Sequence, residues 1–189
     1  MIRGLNKISN FAGLGYMMST FTSHPGGPPQ AVEDAAEAAA SLMRAGLVVF
    51  APVAYSGEIA KRMARGFLTG SDEKYFNSHE LWMPICERFY ERCDYGIIVT
   101  TPGWSESKGI AIELAALTQS GVPLHFYDAD EMHILNLEEA NKKWPQEFED
   151  LLVLAVAEAD PDYLPSSLTA QSLALAAVID EAYVAGGIS

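Results

Sequence analysis

Basic residues are scarce: 12 Lys and Arg stand against 25 Asp and Glu in 189 residues, a net charge of −13 and a pI near 4.6. So large an acidic excess repels polyphosphate and argues against a general DNA or RNA binder, although a small anion can bind where local dipoles oppose the global field. Cysteine is nearly missing. Cys86 and Cys93 lie in a segment that reads as helix, where a rise of about 1.5 Å per residue sets them roughly 10 Å apart, beyond disulfide reach. The four histidines, His24, His79, His125 and His133, show no ligand spacing, so neither a metal centre nor an oxidised framework is expected, and no cofactor. No apolar run approaches the roughly 18 to 20 residues of a membrane span, and the amino terminus lacks a basic stretch followed by a long apolar segment. With 49% hydrophobic and 20% charged residues, disorder is excluded and one core is within reach. These features lead us to expect a soluble cytoplasmic protein without membrane or nucleic-acid partners.

What is present alternates. The first ten residues read as a frayed lead-in. Residues 13 to 19 (GLGYMMS) read as a buried strand, closed by a polar turn rich in Gly and Pro up to Pro29. A helix from Gln30 to Arg44 ends at Gly46, and residues 47 to 52 (LVVFAP) suit a strand buried on both faces. Beyond a less regular stretch with a short helix around Glu58 to Phe67, a helix from Glu80 to Arg92 carries Trp82, Ile85, Cys86, Phe89 and Cys93 on one face. A strand (Tyr95 to Thr100), a helix (Ser107 to Gln119) and a strand (Pro123 to Tyr127) complete the pattern. Parallel strands joined by right-handed helical crossovers follow: an α/β doubly wound, flavodoxin- or Rossmann-like sheet sandwiched by helices over residues 11–130. Residues 131–189 read as a helical C-terminal extension without strands, with helices around Pro145 to Ala159 and Leu168 to Ala185 that pack on the domain or at an oligomer contact.

Ligands of open parallel sheets bind beyond the carboxyl ends of the strands. Those turns hold Ser19 and Thr20, then Ala54 to Gly57, then Pro102 to Ser107, then Asp128. In the third, Ser107, Lys108 and Gly109 open a helix, whose free amides and positive dipole end seat an anion while Gly109 admits it to the backbone. Ser105 or Ser107 equally reads as a plain helix cap. Glu113 is the informative residue. From Gly109 to Leu117 every other position is apolar or glycine, and at 100° per residue Glu113 falls between Ala116 and Leu117, where no polar face receives it. A carboxylate on such a helix, close to an anion seat, points to chemistry. Lys61, Arg62 and Arg65 read as a solvated basic face, and Trp104 and Trp82 as either stacking or packing residues.

These residues resemble the nucleoside 2-deoxyribosyltransferases and their relatives that hydrolyse the N-glycosidic bond of nucleoside 5′-monophosphates. The likeness rests on Tyr16-Met17-Met18-Ser19-Thr20-Phe21-Thr22-Ser23-His24-Pro25, on residues 44 to 57 (RAGLVVFAPVAYSG), and on Pro102-Gly103-Trp104, Ser107, Gly109 and Glu113 as a PGWxxSxGxxxE element; it covers about residues 13 to 128. The resemblance implies that Glu113 is the nucleophile at the anomeric carbon, that Tyr16 lies at the ribose or base, and that Ser19, Thr20, Ser107, Gly109 and Trp104 line a nucleotide. Ser107 matches the serine of the monophosphate hydrolases, where the base-exchanging transferases carry an aspartate. Homodimers or higher homo-oligomers are also implied, and residues 151–157 and 173–179 are apolar enough to serve as contacts.

Two positions depart from the pattern. Met18 stands where the family has a small residue, and Cys86 where it has a sugar-positioning aspartate. A thiol replaces a carboxylate poorly. A non-catalytic nucleotide-binding module and a base-exchanging transferase therefore stay as alternative readings.

Overall fold

The computed structural model describes residues 1–8, 11–66 and 79–158, except the side chains of 61, 63–66, 79, 80 and 158. Strands β1 (Leu14–Met18), β2 (Val48–Phe50), β3 (Tyr95–Val99), β4 (Leu124–Asp128) and β5 (His133–Leu135) form one sheet in the order β2-β1-β3-β4-β5. The first four are parallel. In register, Tyr16 faces Phe50 on one side and Gly96 on the other, and Ile98 faces Phe126. Helices α1 (Gly27–Arg44), α2 (Pro52–Gly66), α3 (His79–Tyr90) and α4 (Lys108–Gln119) make the crossovers, followed by α5 (Leu137–Lys143) and α6 (Pro145–Glu158). The doubly wound α/β class expected from the alternation is the one observed, with an antiparallel edge added.

Side-chain alternation along the strands separates two cores. Tyr16, Met18, Ile98 and Phe126 face α4 and α6, meeting Ile110, Leu114, Leu117, Phe148, Leu151 and Leu152. Met17, Ile97, Val99 and Tyr127 face the opposite way, onto Ala35, Ala38, Ala39 and Leu42 of α1. Glycine brings α1 and α2 together: a Cβ at Gly57 would sit 2.6 Å from Val32 Cγ1.

Several expectations need correction. The helix α1 starts at Gly27, not Gln30, because Pro28 and Pro29 occupy first-turn positions, whose amides have no helical partner to lose. For the same reason α2 begins at Pro52, so Ala54 to Gly57 form helix rather than a ligand loop. The lead-in is not frayed: Ile2 and Ile8 are buried, Arg3 bridges to His133, the Ile134 amide donates to the Arg3 carbonyl, and the Arg3 amide donates to the Met132 carbonyl. Residues beyond 130 do contain a strand, β5, antiparallel to β4. Asp128 Oδ1 accepts from the Glu131 amide to make its turn, and Lys143 pairs with Asp128. Asp128 is thereby committed to structure, and the sheet extends past residue 130. In α6, Leu151, Leu152 and Ala155 are buried, while Val153 and Val156 are exposed. The helix expected over Leu168 to Ala185, including residues 173–179, lies outside the described residues. Among the described residues, no helix is long and apolar enough to cross a membrane.

Candidate functional site

Chain order reverses between β1 and β3, and a cavity of about 340 Å³ opens at their carboxyl ends, where ligands of open α/β sheets bind. The loop after β1 supplies Ser19, Phe21 and Thr22; α2 supplies Pro52, Val53 and Ser56; α3 supplies Trp82, Met83 and Cys86. The first two turns of α4 supply Ser107, Lys108, Gly109, Ile112 and Glu113.

Glu113 is one of the residues lining the cavity. Tyr16, wholly buried in β1, donates its hydroxyl to Glu113 Oε1 at 2.6 Å. Glu113 keeps some exposure to the cavity, but its carboxyl group is packed as densely as an interior one. Burial pushes that carboxyl up to about 7, and the Tyr16 hydrogen bond, which favours the ionised form, pulls only partly the other way. The Tyr16 phenol is driven far above its ordinary range by burial and then by the Glu113 charge. The Cys86 thiol completes the group, pushed up to about 11 by burial and by Glu113, with Tyr16 opposing. At neutral pH, Cys86 is therefore a thiol and not a thiolate.

An aromatic clamp holds the phenol. Tyr90 meets the Tyr16 ring edge-on at 5.7 Å, Phe50 packs on it at 6.0 Å, and Phe89 stacks on Phe50 at 3.6 Å. Phe89 sits on the stripe read from the sequence, but α3 ends at Tyr90, so Cys93 falls beyond it and its thiol bonds the Tyr90 carbonyl.

At the start of α4, Ser107 caps the helix, its Oγ accepting from the Ile110 amide at 3.4 Å. It caps the helix and lines the cavity at once. Gly109 is exposed, and a Cβ there would meet only Ser107 Oγ, at 3.8 Å, so internal packing does not call for glycine. Ser19 Oγ is buried without a hydrogen-bond partner beside the same cavity. An orphaned hydroxyl is costly unless something occupies it.

Two sequence-derived site residues lie elsewhere. Thr20 does not line the cavity: its Oγ1 pairs with Thr101 Oγ1 at 2.9 Å, tying the loops after β1 and β3 together. Trp104 is buried edge-on to Phe126 and Trp144, and it borders a separate cleft of about 740 Å³ beyond the loop. That cleft is lined by Asp34, Glu37, Glu106, Asp130 and Glu147 and does not include Glu113. Tyr16 is not among the residues lining the cavity and meets the site through its hydrogen bond to Glu113. A second tie between the loops joins Ser23 Oγ to the Gly103 carbonyl at 3.0 Å. Gly103 has φ +81°, and a Cβ there would lie 2.3 Å from the Ser23 carbonyl oxygen. Of the basic cluster, Arg62 is exposed, and Lys61 and Arg65 lie outside the described side chains.

Sequence reasoning missed Val53, Met83 and Ile112 in the lining and Phe50 and Tyr90 in the clamp. Nothing in their spacing marks them; the fold alone converges them.

The sequence model of one family, described as Domain of unknown function (DUF1937), matches residues 25–129, more than half of the chain. The match spans α1 to β4, including Cys86, Ser107 and Glu113, and begins after Tyr16 and Ser19. No curated protein matches the chain.

Proposed function

The chain belongs to the family of that domain of unknown function, and from this premise we propose that it is an N-glycosidase hydrolysing the N-glycosidic bond of a (deoxy)nucleoside 5′-monophosphate, with Glu113 as nucleophile. The carrying observation is the enclosed Glu113 carboxyl lining a switch-point cavity, hydrogen-bonded by the Tyr16 hydroxyl. The resemblance to the nucleoside 2-deoxyribosyltransferase superfamily, drawn from the PGWxxSxGxxxE element, supports the same reading.

The cavity has two unlike ends. Ser107, Lys108, Gly109 and the unpartnered Ser19 hydroxyl gather donors and the positive end of α4, which suits a phosphate. Trp82, Met83, Phe21 and Val53 make an apolar wall, which suits a flat base. Glu113 captures C1′ as the C1′–N bond breaks, and the base leaves with a proton taken up from solvent. Water then attacks C1′, the C1′–O bond to Glu113 breaks, and the sugar phosphate is released with the free carboxylate restored and one proton returned to solvent. Tyr16 is a positioning residue. It donates to one carboxylate oxygen and leaves the other for the sugar.

The test is release of free base from a panel of deoxy- and ribonucleoside monophosphates. Glu113→Gln is expected to slow release at least about a hundredfold; wild-type turnover in that variant removes the assignment. One observation favours a second reading, a nucleotide-binding module without chemistry: the protonated thiol of Cys86 beside Glu113. Thermal stabilisation by a nucleotide without turnover, with base release recovered in Cys86→Asp, would select it. Base exchange would show as a new nucleotide when a second free base is added. The reading also takes the protein to be at least a homodimer, with Val153 and Val156 of α6 exposed for a contact; light scattering decides.

A further inference from the structure

Resting on the N-glycosidase reading, we propose that the cavity's substrates are nucleotides whose base already carries a positive charge in the ring bonded to C1′, that is, a pyridinium ribonucleotide or an N7-alkylated purine nucleotide. Three observations converge on this class.

Glu113 is enclosed beside the cavity, and among the described residues the influences on its ionisation are burial and the Tyr16 hydroxyl, with no described cation among them. An enclosed carboxylate lacking a counter-charge is the environment in which a cationic substrate gains most. The wall beside it carries the Trp82 indole and the Met83 thioether, surfaces that receive a flat cation through the ring face and a polarisable sulfur.

The leaving group supplies the third argument. A neutral base must gain a proton as it departs. Among the described residues, the acidic hydrogens beside Glu113 belong to the Tyr16 phenol, already donated to Oε1, and the Cys86 thiol. Burial and the Glu113 charge make both reluctant acids. A cationic base needs no donor. As a Glu113 oxygen bonds to C1′ and the C1′–N bond breaks, the bonding pair passes to the ring nitrogen, cancels its charge, and the base departs neutral. Water then attacks C1′, the ester bond to Glu113 breaks, and one proton is lost to solvent.

The experiment uses the full chain with nicotinamide mononucleotide and N7-methylguanosine 5′-monophosphate as cationic probes, and adenosine and guanosine 5′-monophosphates as neutral ones. Base release is divided by the uncatalysed rate for each probe, because cationic glycosides are intrinsically more labile. The corrected efficiency is expected to favour the cationic probes at least about tenfold. Binding gives a readout independent of lability: nicotinamide mononucleotide is expected to bind about tenfold tighter than its reduced, uncharged form, with proton release near neutral pH, and Glu113→Gln to abolish both effects. Equal handling of charged and neutral nucleotides overturns this inference and leaves the N-glycosidase reading standing. Release from none of the four overturns that reading, and this one with it. Release from one cationic probe alone supports the inference and identifies which of the two base types the wall accepts.

Discussion

The Tyr16 hydroxyl lies 2.6 Å from Glu113 Oε1, across 97 residues of sequence, and joins the centre of β1 to the second turn of α4. The bond favours an ionised carboxylate, while the surrounding protein disfavours it, so the group titrates near neutrality.

Stability should therefore fall with rising pH because of Glu113. Its folded pKa, about 7, lies above the ordinary 4.5, so between those values the folded chain holds a proton that the unfolded chain has released. Below the window the contribution is fully present; through it the contribution is lost, to a total of about 3 kcal/mol. In Glu113→Gln this dependence vanishes. Denaturant unfolding of both proteins across the window is expected to show the variant gaining relative stability as pH rises. A constant difference would remove the enclosed-carboxyl assignment.

Removing the Tyr16 hydroxyl should raise the Glu113 pKa further, since that hydrogen bond is what lowers it. With Tyr16→Phe, the rising limb of the pH–rate profile for base release is expected to move up by about one unit. An unmoved limb would mean that Tyr16 packs without positioning the carboxyl.

Both cysteines should be sluggish toward alkylation in the folded chain. The thiols of Cys86 and Cys93 are each pushed up to about 11 from 9, burial being the first cause in both. Thiolate at slightly alkaline pH is then depleted about a hundredfold. Mass spectrometry after iodoacetamide treatment should find unmodified native protein and rapid labelling once it is unfolded.

Gly103→Ala should destabilise by about 2 kcal/mol or more, because a left-handed φ and a collision with the Ser23 carbonyl act together. The Ser23–Gly103 tie would loosen, so nucleotide affinity is expected to drop with it. A thermal melt and a binding isotherm check the pair of effects.

Leu151→Ala should cost about 2–5 kcal/mol, as for other wholly buried leucines, since α6 packs Leu151 against the α4 side of the core. A negligible loss would make α6 a dispensable appendage.

Some misses were readable. Asn136 and Glu139 form a reciprocal capping box at the start of α5, a spacing visible in sequence. Strand β5 was not readable: three residues are too few to show a period, and its pairing with β4 depends on the turn at Asp128. Trp104 sat beside the chemistry in sequence yet turned into the core, because the short turn Trp104–Glu106 directs its ring toward Phe126 and Trp144.

The one-dimensional pattern of apolar strands and amphipathic helices was sufficient for the α/β class, since burial imposes a period that each element must carry itself. Glu113 also stood out unaided, as the one charge in the otherwise apolar stretch from Gly109 to Leu117. Which hydroxyl would meet it was a matter for the tertiary structure alone. A strand buried on both faces, such as β1, shows no alternation that tells Tyr16 from Met17, and only its register against β2 and β3 turns the phenol toward α4. The same registers set Thr20 against Thr101 and leave Ser19 facing the cavity, because side-chain direction follows from contacts made by residues far apart in the chain.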